Sequence, residues 1–427
     1  MSDDVIAIAP LGRPLDAAIR PPGSKSITNR ALLLAAMAHG RSRLRGALFS
    51  EDTARMITAL TALGFEVVTD EAARQIVVLG RGGTIGIVTA ALDAGNAGTA
   101  MRFLAGFVTL GRGRFRIDGS RRMRERPITA LLDTLRALGV AATSEHGNDR
   151  PPIVIDTSAG DFRGGTATID ASLSSQFVSA LLLPAPLWRN GLHLTVIGET
   201  ARPFIAMTMR LMAEWGAASS FAADLIVVPG GQQYRAMDFE IEPDASAGSY
   251  FAAAAALLGG TVAIRGLRED SVQGDTSFLT ILTRMGAQVA WYPDRVEVTG
   301  TGELRGIDVA MNSLPDMVPT LAAIAPFASG PTHIRGVGFI RHHESDRLAA
   351  LATELRRLGG VVLEHADGLT IMPSPLRPGT VVTYDDHRIA MAFAVIGLRV
   401  VGVRISNPGC VAKTYPDFFR DLERLYR

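Results

Sequence analysis

Residues 30–47, RALLLAAMAHGRSRLRGA, join an apolar stretch of small residues to a glycine and a short run with strand character. The same arrangement occurs six times along the chain, and a glycine after each apolar stretch marks the copies. These glycines lie 69 to 78 residues apart, at Gly40, Gly113, Gly191, Gly260, Gly330 and Gly402. Self-similarity at such a period is typical of folds built from repeated supersecondary units.

Each copy predicts one helix-and-strand unit of about 70 residues. Apolar stretches such as FVSALLLPA (177–185) and YFAAAAALL (250–258) are hydrophobic nearly all round, which predicts buried helices. In the first five units an amphipathic helix ending in glycine follows, for example LLDTLRALG (131–139). A short hairpin comes next, for example AQVAWYPDRVEVTG (287–300). The alternative is that the period arises by chance among helices rich in alanine and glycine.

The sixth unit stops at its amphipathic helix, PDFFRDLERLYR (416–427), without a hairpin. Because DDVIAIAP (3–10) resembles hairpin strands such as RQIVVLG (74–80), we expect the missing strand to come from the other end of the chain. The repeats therefore predict an α/β (α+β) fold of two domains with three units each. The N-terminal domain is expected at residues 22–240 and the C-terminal domain at residues 1–21 plus 241–427.

The composition narrows the classes of function. With 427 residues, 47% of them hydrophobic, the chain can bury more than one core. Its 43 basic and 42 acidic residues give a net charge of +1, whereas proteins that bind nucleic acids or membrane surfaces usually carry a strong positive bias. The single cysteine, Cys410, excludes an intrachain disulfide framework and a cysteine-based zinc site, and the eight scattered histidines imply no metal. With neither a basic leader nor an apolar run of membrane-spanning length, a cytoplasmic location is expected.

Polar residues stand at the start of each predicted buried helix. The six starts read GSKSITNR (23–30), DAGNAGTAMR (93–102), DASLSSQF (170–177), PDASAGSY (243–250), NSLPDM (312–317) and YDDHR (384–388). Serine, aspartate and asparagine are ordinary N-caps, but capping does not explain Lys25, Arg30, Gln176, His387 and Arg388. Free N–H groups beside a basic side chain suit an anion. If the three helices of each domain run parallel, all six starts meet at a cleft between the domains, which favours a small, strongly anionic substrate.

The segment PPGSKS (21–26) is close to the phosphate-binding loop of ATPases but lacks its pattern. That loop needs a glycine directly before the lysine, where this sequence has Ser24, and two prolines occupy part of the glycine stretch. We therefore expect a phosphate or carboxylate, rather than ATP, to be held by Lys25, Ser26 and Arg30. Ser26 and Arg30 are four residues apart and share one face of an ideal helix.

Three further motifs concentrate charge: SRRMRERPI (120–128), RHHESDRLAALATEL (341–355) and VAKTYPDFF (411–419). Each has an ordinary explanation when it is taken alone. The first is then a solvated basic loop, and the second holds a surface pair of Glu344 and Arg347 at i,i+3 spacing. A single lysine, Lys413, before the last helix is weak evidence by itself.

Together, seven motifs resemble the 5-enolpyruvylshikimate-3-phosphate synthase family over essentially the whole chain. In order, they are PGSKSITNRALLLAA (22–36), GNAGTAMR (95–102), RMRERPI (122–128), SSQF (174–177), HESDRLAALATELRRLGG (343–360), DDHRIAMAF (385–393) and AKTYPDFF (412–419). The resemblance implies two domains of three helix-and-strand units, an inverse α/β-barrel-like fold with the active site in the cleft. It implies transfer of the enolpyruvyl group of phosphoenolpyruvate to the 5-hydroxyl of shikimate 3-phosphate by addition and elimination of phosphate, a step of aromatic amino-acid biosynthesis.

The resemblance also assigns roles to positions. Shikimate 3-phosphate is expected at Lys25, Ser26, Arg30, Ser174, Ser175, Gln176, Asp316 and His343. Phosphoenolpyruvate is expected at Lys25, Asn96, Gly98, Arg126, Gln176, Arg347, His387, Arg388 and Lys413. The implied catalytic residues are Lys25, Asp316 as the base near the 5-hydroxyl, and Glu344 as the acid that protonates the methylene carbon. The resemblance implies no metal and no cofactor, a monomer, and inhibition by glyphosate in the space that Gly98 leaves.

Four positions on the acceptor side depart from the family pattern. Phe339 and His343 stand where asparagine and lysine are common, Ala201 replaces a phosphate-contacting serine, and Phe204 stands where tyrosine is common. Two explanations stay open: tolerated variation, or a related enzyme acting on a different phosphorylated or cyclic alcohol. UDP-N-acetylglucosamine enolpyruvyl transferase is disfavoured because its family usually has a catalytic cysteine in the N-terminal domain. A non-catalytic anion-binding homologue is another alternative, although Lys25, Asp316 and Glu344 are all retained.

Overall fold

The computed structural model describes residues 4–160, 162–198 and 201–426. The chain separates into two compact units. The N-terminal unit runs from Gly23 to Ile241, and the C-terminal unit combines the residues up to Pro22 with those from Glu242 onward. The chain therefore passes between the units twice, once near each end of the N-terminal unit.

Two short strands precede the first crossing, and both belong to sheets of the C-terminal unit. They are β1 (Val5–Ala7) and β2 (Leu15–Ile19).

The N-terminal unit alternates helices with strands. Its helices are α1 (Lys25–Met37), α2 (Glu51–Ala62), α3 (Gly98–Phe107), α4 (Thr129–Ala137), α5 (Ser175–Leu182) and α6 (Arg202–Glu214). Its strands are β3 (Ala38–Arg45), β4 (Glu66–Asp70), β5 (Gln75–Arg81), β6 (Thr89–Asp93), β7 (Arg114–Asp118), β8 (Ala141–Ser144), β9 (Ile153–Asp156), β10 (Gly165–Asp170), β11 (Leu192–Ile197), β12 (Ser220–Ala222), β13 (Leu225–Val228), β14 (Tyr234–Arg235) and β15 (Asp238–Glu240).

One sheet shows the plan of the repeated unit. In the order β6–β7–β9–β8, β6 and β7 are parallel and connected by the buried helix α3, while β8 and β9 form an antiparallel hairpin after α4. The sheet β10–β11–β13–β12 repeats this plan with α5 and α6. In the first sheet, β14 and β15 supply the strand parallel to β3, although they lie at the far end of the unit.

The C-terminal unit follows the same alternation. Its helices are α7 (Ala245–Leu258), α8 (Phe278–Arg284), α9 (Val318–Ile324), α10 (Arg347–Arg357), α11 (His387–Gly397) and α12 (Phe418–Glu423). Its further strands are β16 (Gly260–Arg265), β17 (Gln288–Tyr292), β18 (Arg295–Gly300), β19 (Asp308–Ala310), β20 (Thr332–Arg335), β21 (Val361–His365), β22 (Gly368–Met372), β23 (Gly379–Val381) and β24 (Val403–Ser406).

The three sheets of the C-terminal unit match those of the N-terminal unit. The sheet β19–β20–β22–β21 repeats the plan with α9 and α10. In the sheet β2–β16–β18–β17, the strand parallel to β16 is β2, from before the first crossing. In the third sheet β23 runs parallel to β24, and β1 pairs antiparallel with β24, where the other units have a hairpin strand. The predicted fold class of six helix-and-strand units is therefore confirmed, and each of the six sheets is open.

The helices that connect parallel strands form the interior of both units. All residues of α11 and all but the last of α7 are buried, because alanine and other small residues let neighbouring helices approach closely. At the contact between α3 and α5, a Cβ on Gly106 would lie 1.9 Å from the carbonyl oxygen of Ala180, so this approach requires glycine. No helix in the described ranges is both long enough and apolar enough to cross a membrane.

Candidate active site

Five of the predicted site residues are the first residues of helices. Lys25, Gly98, Ser175 and His387 are the first residues of α1, α3, α5 and α11, and Arg347 is the first residue of α10. Several of these starts are capped by the residue just before them. The caps are Ser24, Ser174, Asp346 and Asp386, whose side chains accept backbone N–H bonds of the first turn. Each helix start is thereby fixed, together with the side chain that follows the cap.

Arg347 is the centre of the site in the C-terminal unit. Its side chain is 1% exposed. The guanidinium donates to Asp386 Oδ2 from Nε at 2.9 Å, to Asp316 Oδ1 from Nη1 at 3.0 Å, and to Glu344 Oε2 from Nη2 at 2.8 Å. One arginine thus links the predicted base, the predicted acid and a buried N-cap. We call these residues, together with Arg388 and Lys413, the carboxylate–guanidinium cluster.

Arg388 binds the second carboxylate oxygen of Asp316, the predicted base. Its Nη2 donates to Asp316 Oδ2 at 2.6 Å, and its Nη1 lies 3.5 Å from the hydroxyl of Tyr250. Asp316 sits in a short 3-10 turn just before α9, and its side chain remains 23% exposed. Both Asp316 oxygens therefore accept charge-assisted bonds, while part of the carboxylate stays accessible to a substrate.

Lys413 completes the cluster beside the predicted acid. Its Nζ lies 3.9 Å from Glu344 Oε1, and both side chains are largely buried. The cluster thus contains three cationic and three anionic side chains, which compensate each other. Such burial is tolerated because each charge has a partner of opposite sign.

The charge of the two arginines is well stabilised. Burial alone would lower the pKa of both Arg347 and Arg388, but the nearby carboxylates outweigh it and raise both values above the usual one. Burial also raises the pKa of Tyr250 to about 12, against the opposing charge of Arg388, so this hydroxyl stays protonated. The cluster therefore offers fixed cations and a neutral hydroxyl at any physiological pH.

His343, on the acceptor side, faces the same arginine. Its Nδ1 lies 3.1 Å from Arg347 Nη1, and because a guanidinium can only donate, Nδ1 accepts this bond. The ring of Phe339 meets the imidazole edge to face at 5.9 Å between centroids. The contact with Phe339 thus helps to fix the orientation of the ring. His387 is fully buried, with Nδ1 3.8 Å from Asp386 Oδ1.

In the N-terminal unit, Arg30 is a buried cation without an acidic partner among the described residues. Its guanidinium donates only to neutral groups: the hydroxyls of Thr208 and Ser179 and the carbonyl oxygens of Ser26 and Phe204. Burial lowers the pKa of Arg30 to about 9. Since a buried charge of this kind is costly without a counter-ion, the arrangement suits an incoming anion.

The aromatic ring of Phe103 packs against the guanidinium of Arg30. The guanidinium carbon of Arg30 lies 5.0 Å from the centre of the ring, a cation–π distance. Two of the departures from the family pattern lie on the neighbouring helix α6. Ala201 is its buried N-cap, and Phe204 contributes its backbone oxygen to Arg30. Replacing tyrosine by Phe204 therefore leaves this backbone contact intact.

Lys25 forms an ion pair within the N-terminal unit. Its Nζ lies 3.4 Å from Asp52 Oδ2, and Asp52, in the first turn of α2, is buried. The side chain of Lys25 is 14% exposed, so it can also contact a substrate. The pairing fixes the direction of the lysine at the start of α1.

Gly98 lies against two arginines. A Cβ at this position would be 3.0 Å from Arg102 Nη1, 3.0 Å from Arg126 Nη2 and 3.2 Å from Arg126 Nη1. The bare backbone of Gly98 thus allows both guanidinium groups to approach the N-terminus of α3. A helix start with two adjacent arginines is suited to a phosphate or a carboxylate.

The start of α5 supplies neutral polar groups. Ser174 caps the helix, accepting from Gln176 N at 3.2 Å, and Ser175 is buried. Gln176 Oε1 is buried and has no hydrogen-bond partner in the described part of the chain. Asn96 lies two residues before α3. These groups can donate and accept bonds from a hydroxylated substrate.

The structure adds four residues that the sequence reasoning did not single out: Asp386, Asp52, Arg102 and Asp275. Asp386 and Arg102 lie inside the motifs DDHR and GNAGTAMR, so their positions were visible but not their contacts. Asp52 and Asp275 stand in related segments, EDT (51–53) and GDT (274–276), which the repeat comparison could have aligned.

Comparisons with known proteins identify the family of this chain. The family model described as EPSP synthase (3-phosphoshikimate 1-carboxyvinyltransferase) matches residues 11–422. A 3-phosphoshikimate 1-carboxyvinyltransferase from Nostoc sp. is 46% identical over 418 residues, which cover 97% of this chain and 98% of that protein. An EPSP synthase structure from Acinetobacter baumannii matches with a TM-score of 0.82 at 25% identity, over 99% of this chain and 98% of that one. The enolpyruvyl transferase NikO from Streptomyces tendae shares the fold, with a TM-score of 0.75 at 21% identity over 99% and 97% of the two chains. The chain therefore belongs to the EPSP synthase family.

Proposed function

We propose that this protein transfers the enolpyruvyl group of phosphoenolpyruvate to the 5-hydroxyl of shikimate 3-phosphate, releasing phosphate. Membership of the EPSP synthase family and 46% identity to a 3-phosphoshikimate 1-carboxyvinyltransferase support this reaction. The observation that carries it is the pairing of Asp316 and Glu344 on one guanidinium, that of Arg347. Addition across a double bond needs a base for the attacking hydroxyl and an acid for the carbon. We propose Asp316 for the first role and Glu344, once it carries a proton, for the second.

The proposed roles follow the chemistry of the reaction. The 5-hydroxyl oxygen attacks C2 of phosphoenolpyruvate while its proton passes to Asp316, and C3 receives a proton from Glu344. In the second step the bond from C2 to the phosphate oxygen breaks, C3 returns a proton to Glu344 to restore the double bond, and the leaving phosphate takes the proton from Asp316. Such acid–base assistance typically contributes roughly 10²–10⁴-fold to the rate.

We assign phosphoenolpyruvate to cationic groups of both units. In the N-terminal unit these are Arg126 and Lys25, with Arg102 beside Gly98. In the C-terminal unit they are Arg347, Arg388 and Lys413, together with His387, the residue directly before Arg388 in α11. Fixed donors of this kind stabilise the negative charges of the tetrahedral intermediate without reorganising during the reaction. Asn96 and Gln176 add neutral contacts.

We assign shikimate 3-phosphate to the polar surface around Arg30. A buried guanidinium with no carboxylate partner in the described part of the chain supports this assignment, because the anionic acceptor would supply the missing charge. Ser26, Ser174, Ser175 and Gln176 provide donors for its phosphate and hydroxyl groups. In the C-terminal unit, His343 is proposed to contact the acceptor, in the role that a lysine fills elsewhere in the family.

Cys410 is relevant to the alternative of a UDP-N-acetylglucosamine enolpyruvyl transferase, whose family usually has a catalytic cysteine. Burial raises the pKa of its thiol to about 12, so the sulfur is protonated and a poor nucleophile. It lies in the C-terminal unit, next to Lys413, rather than in the N-terminal unit. This finding supports a mechanism that proceeds through Asp316 and Glu344 without covalent catalysis.

The test is phosphate release from phosphoenolpyruvate, measured with and without shikimate 3-phosphate, for the native protein and for Asp316→Asn. We expect release only when both substrates are present, and its loss in the variant. Release of phosphate that does not depend on shikimate 3-phosphate would contradict the proposal. A folded protein that binds phosphoenolpyruvate but releases nothing would indicate another acceptor, selected by Ala201, Phe204 and Phe339. We also propose that the protein is a monomer, which sedimentation would test. Inhibition by glyphosate is also proposed, and the same phosphate-release assay would test it.

A further inference from the structure

A carboxyl group that the proposed mechanism does not use lies in the interior of the C-terminal unit. Asp275 belongs to a short 3-10 turn, Gly274–Ser277, that leads into α8, and it is 6% exposed. Ser246 Oγ donates to its Oδ2 at 2.5 Å. Its Oδ1 is buried and has no hydrogen-bond partner in the described part of the chain. A fully ionised carboxylate would be costly in these surroundings.

The N-terminal unit shows what normally compensates such a carboxylate. Asp52 stands at the corresponding point of the first repeat and forms an ion pair with Lys25 at 3.4 Å. The residues at the start of α1, Ser24-Lys25-Ser26, match Asp244-Ala245-Ser246 at the start of α7, and both caps accept from the N–H three residues later. The C-terminal repeat therefore has Ala245 where the N-terminal repeat has the lysine.

The charges around Asp275 connect it to the proposed base. Burial, followed by the like charge of Asp316 and a smaller effect of Asp244, raises its pKa to about 7. The hydrogen bond from Ser246 and the charge of Arg388 act in the opposite direction. Arg388 donates to Asp316 at 2.6 Å, and its Nη1 lies 3.5 Å from the hydroxyl of Tyr250, one helical turn after Ser246 on α7. Its charge thus acts on Asp316 through a direct bond and on Asp275 at longer range.

We propose that Asp275 is a positioning residue that carries a proton on the acid side of neutrality and so leaves Arg388 to compensate the charge of Asp316 alone. When Asp275 loses its proton at higher pH, the added negative charge increases the proton affinity of Asp316 and makes it a stronger base. The ionisation of Asp275 thus sets the pH at which the base changes strength. This inference rests on the proposed function only in taking Asp316 as the base.

The first experiment compares the native protein with Asp275→Asn, which keeps the shape and the acceptor for Ser246 but cannot ionise. In the native protein, kcat is expected to rise through an ionisation near pH 7. In Asp275→Asn that step should be absent, with kcat similar to the native value at pH 6 and about threefold to tenfold lower at pH 8. The KM values for both substrates at pH 6 should be unchanged. A variant that retains the step, or that loses activity equally at every pH, would overturn the inference.

The second experiment reads the proton directly and does not need activity. Infrared spectra of the native protein at pH 6 should contain a protonated-carboxyl band that disappears by pH 8 and is absent in Asp275→Asn at both pH values. The matched variant Ser246→Ala removes only a bond that favours the ionised form, so the midpoint of this band should move to higher pH. If native and Asp275→Asn spectra are identical at pH 6, the inference fails. If the native protein releases no phosphate, the proposed function fails, while the infrared titration still decides whether Asp275 carries the proton.

Discussion

Replacing Gly98 by alanine tests whether the start of α3 and its two arginines bind phosphoenolpyruvate. The added Cβ would lie 3.0 Å from both Arg102 Nη1 and Arg126 Nη2, closer than an ordinary van der Waals contact. Both neighbours are ends of flexible side chains, so they can retreat by a few tenths of an ångström rather than unfold the helix. Alanine is also the better helix former, by about 1 kcal/mol, which favours an intact fold.

The expected loss is set by the bonds that these guanidinium groups make to the substrate. A hydrogen bond to a charged group is worth about 1.5–3 kcal/mol, and lengthening one of them should forfeit about 1 kcal/mol. We therefore expect the KM for phosphoenolpyruvate to rise about fivefold, with a smaller change in the KM for shikimate 3-phosphate. Glyphosate, proposed to use the space beside Gly98, should lose more affinity than the substrate, because the new methyl group occupies that space.

The assay is steady-state phosphate release with each substrate varied in turn and glyphosate titrated against phosphoenolpyruvate. A matched control is Gly248→Ala in the first turn of α7, where the Cβ would meet only apolar side-chain atoms of Ile264 and Leu267 at 3.3 Å. This variant should leave both KM values and the glyphosate inhibition constant unchanged. An unchanged inhibition constant in Gly98→Ala, from a protein with a native unfolding curve, would refute the assignment of Gly98 to this site.

Four further predictions concern single side chains. Asp316→Asn should lower kcat by about 10²-fold or more, since the isosteric amide keeps the shape but cannot take a proton, as phosphate release would show. Asp386→Asn should lower the free energy of unfolding by about 3 kcal/mol, measured by urea denaturation, because it leaves the buried Arg347 cation undercompensated. Arg30→Met should raise the KM for shikimate 3-phosphate about 30-fold or more, because a charge partner of the anion is lost. Since the pKa of Asp275 is raised to about 7, its contribution to the unfolding free energy should fall as pH rises from about 4 to 7, so the native protein should lose stability relative to Asp275→Asn over this range.

Each of these predictions has an outcome that would contradict it. Native kcat in Asp316→Asn would remove Asp316 as the base. An unfolding free energy within 0.5 kcal/mol or so of the native value in Asp386→Asn would mean that Arg347 finds other compensation. Equal effects of Arg30→Met on both KM values would place Arg30 away from the acceptor. An identical pH slope in Asp275→Asn would mean that Asp275 ionises at an ordinary pH in the folded protein.

The fold was predictable because its signals are local and repeated. A buried helix followed by glycine and a strand recurs six times. At Gly40, Gly191, Gly260 and Gly402 φ is positive, so a side chain would hinder the turn. The strands that complete the first sheet of each unit were less visible. β14 and β15 are only two and three residues long, and β2 is separated by more than 200 residues from its partner β16, so no local pattern reports the pairing.

The site was predictable only in part, for a related reason. Lys25 and Arg30 stand out because a cation in an apolar helix needs an explanation. Asp386 does not stand out, because an aspartate before a helix is already explained as an N-cap. Its bond to Arg347 joins residues 39 positions apart, and only the folded chain shows it. Asp275 was missed for a different reason. It is unusual because Ala245 stands where the corresponding position of the first repeat has Lys25, and an alanine in an apolar helix attracts no attention.

The charge balance of the carboxylate–guanidinium cluster has a consequence for catalysis. Arg347, Arg388 and Lys413 are already paired with carboxylates, so a substrate anion must take cations that Asp316 and Glu344 now occupy. Each carboxylate that gives up a guanidinium loses a partner that stabilises its charged form, and so gains proton affinity. If phosphoenolpyruvate binds these cations as proposed, Glu344 would become able to hold the proton that it is proposed to deliver, and Asp316, the proposed base, would become stronger. Part of the binding energy is then used to activate the acid and the base, and these groups stay neutralised by their ion pairs until the substrate arrives.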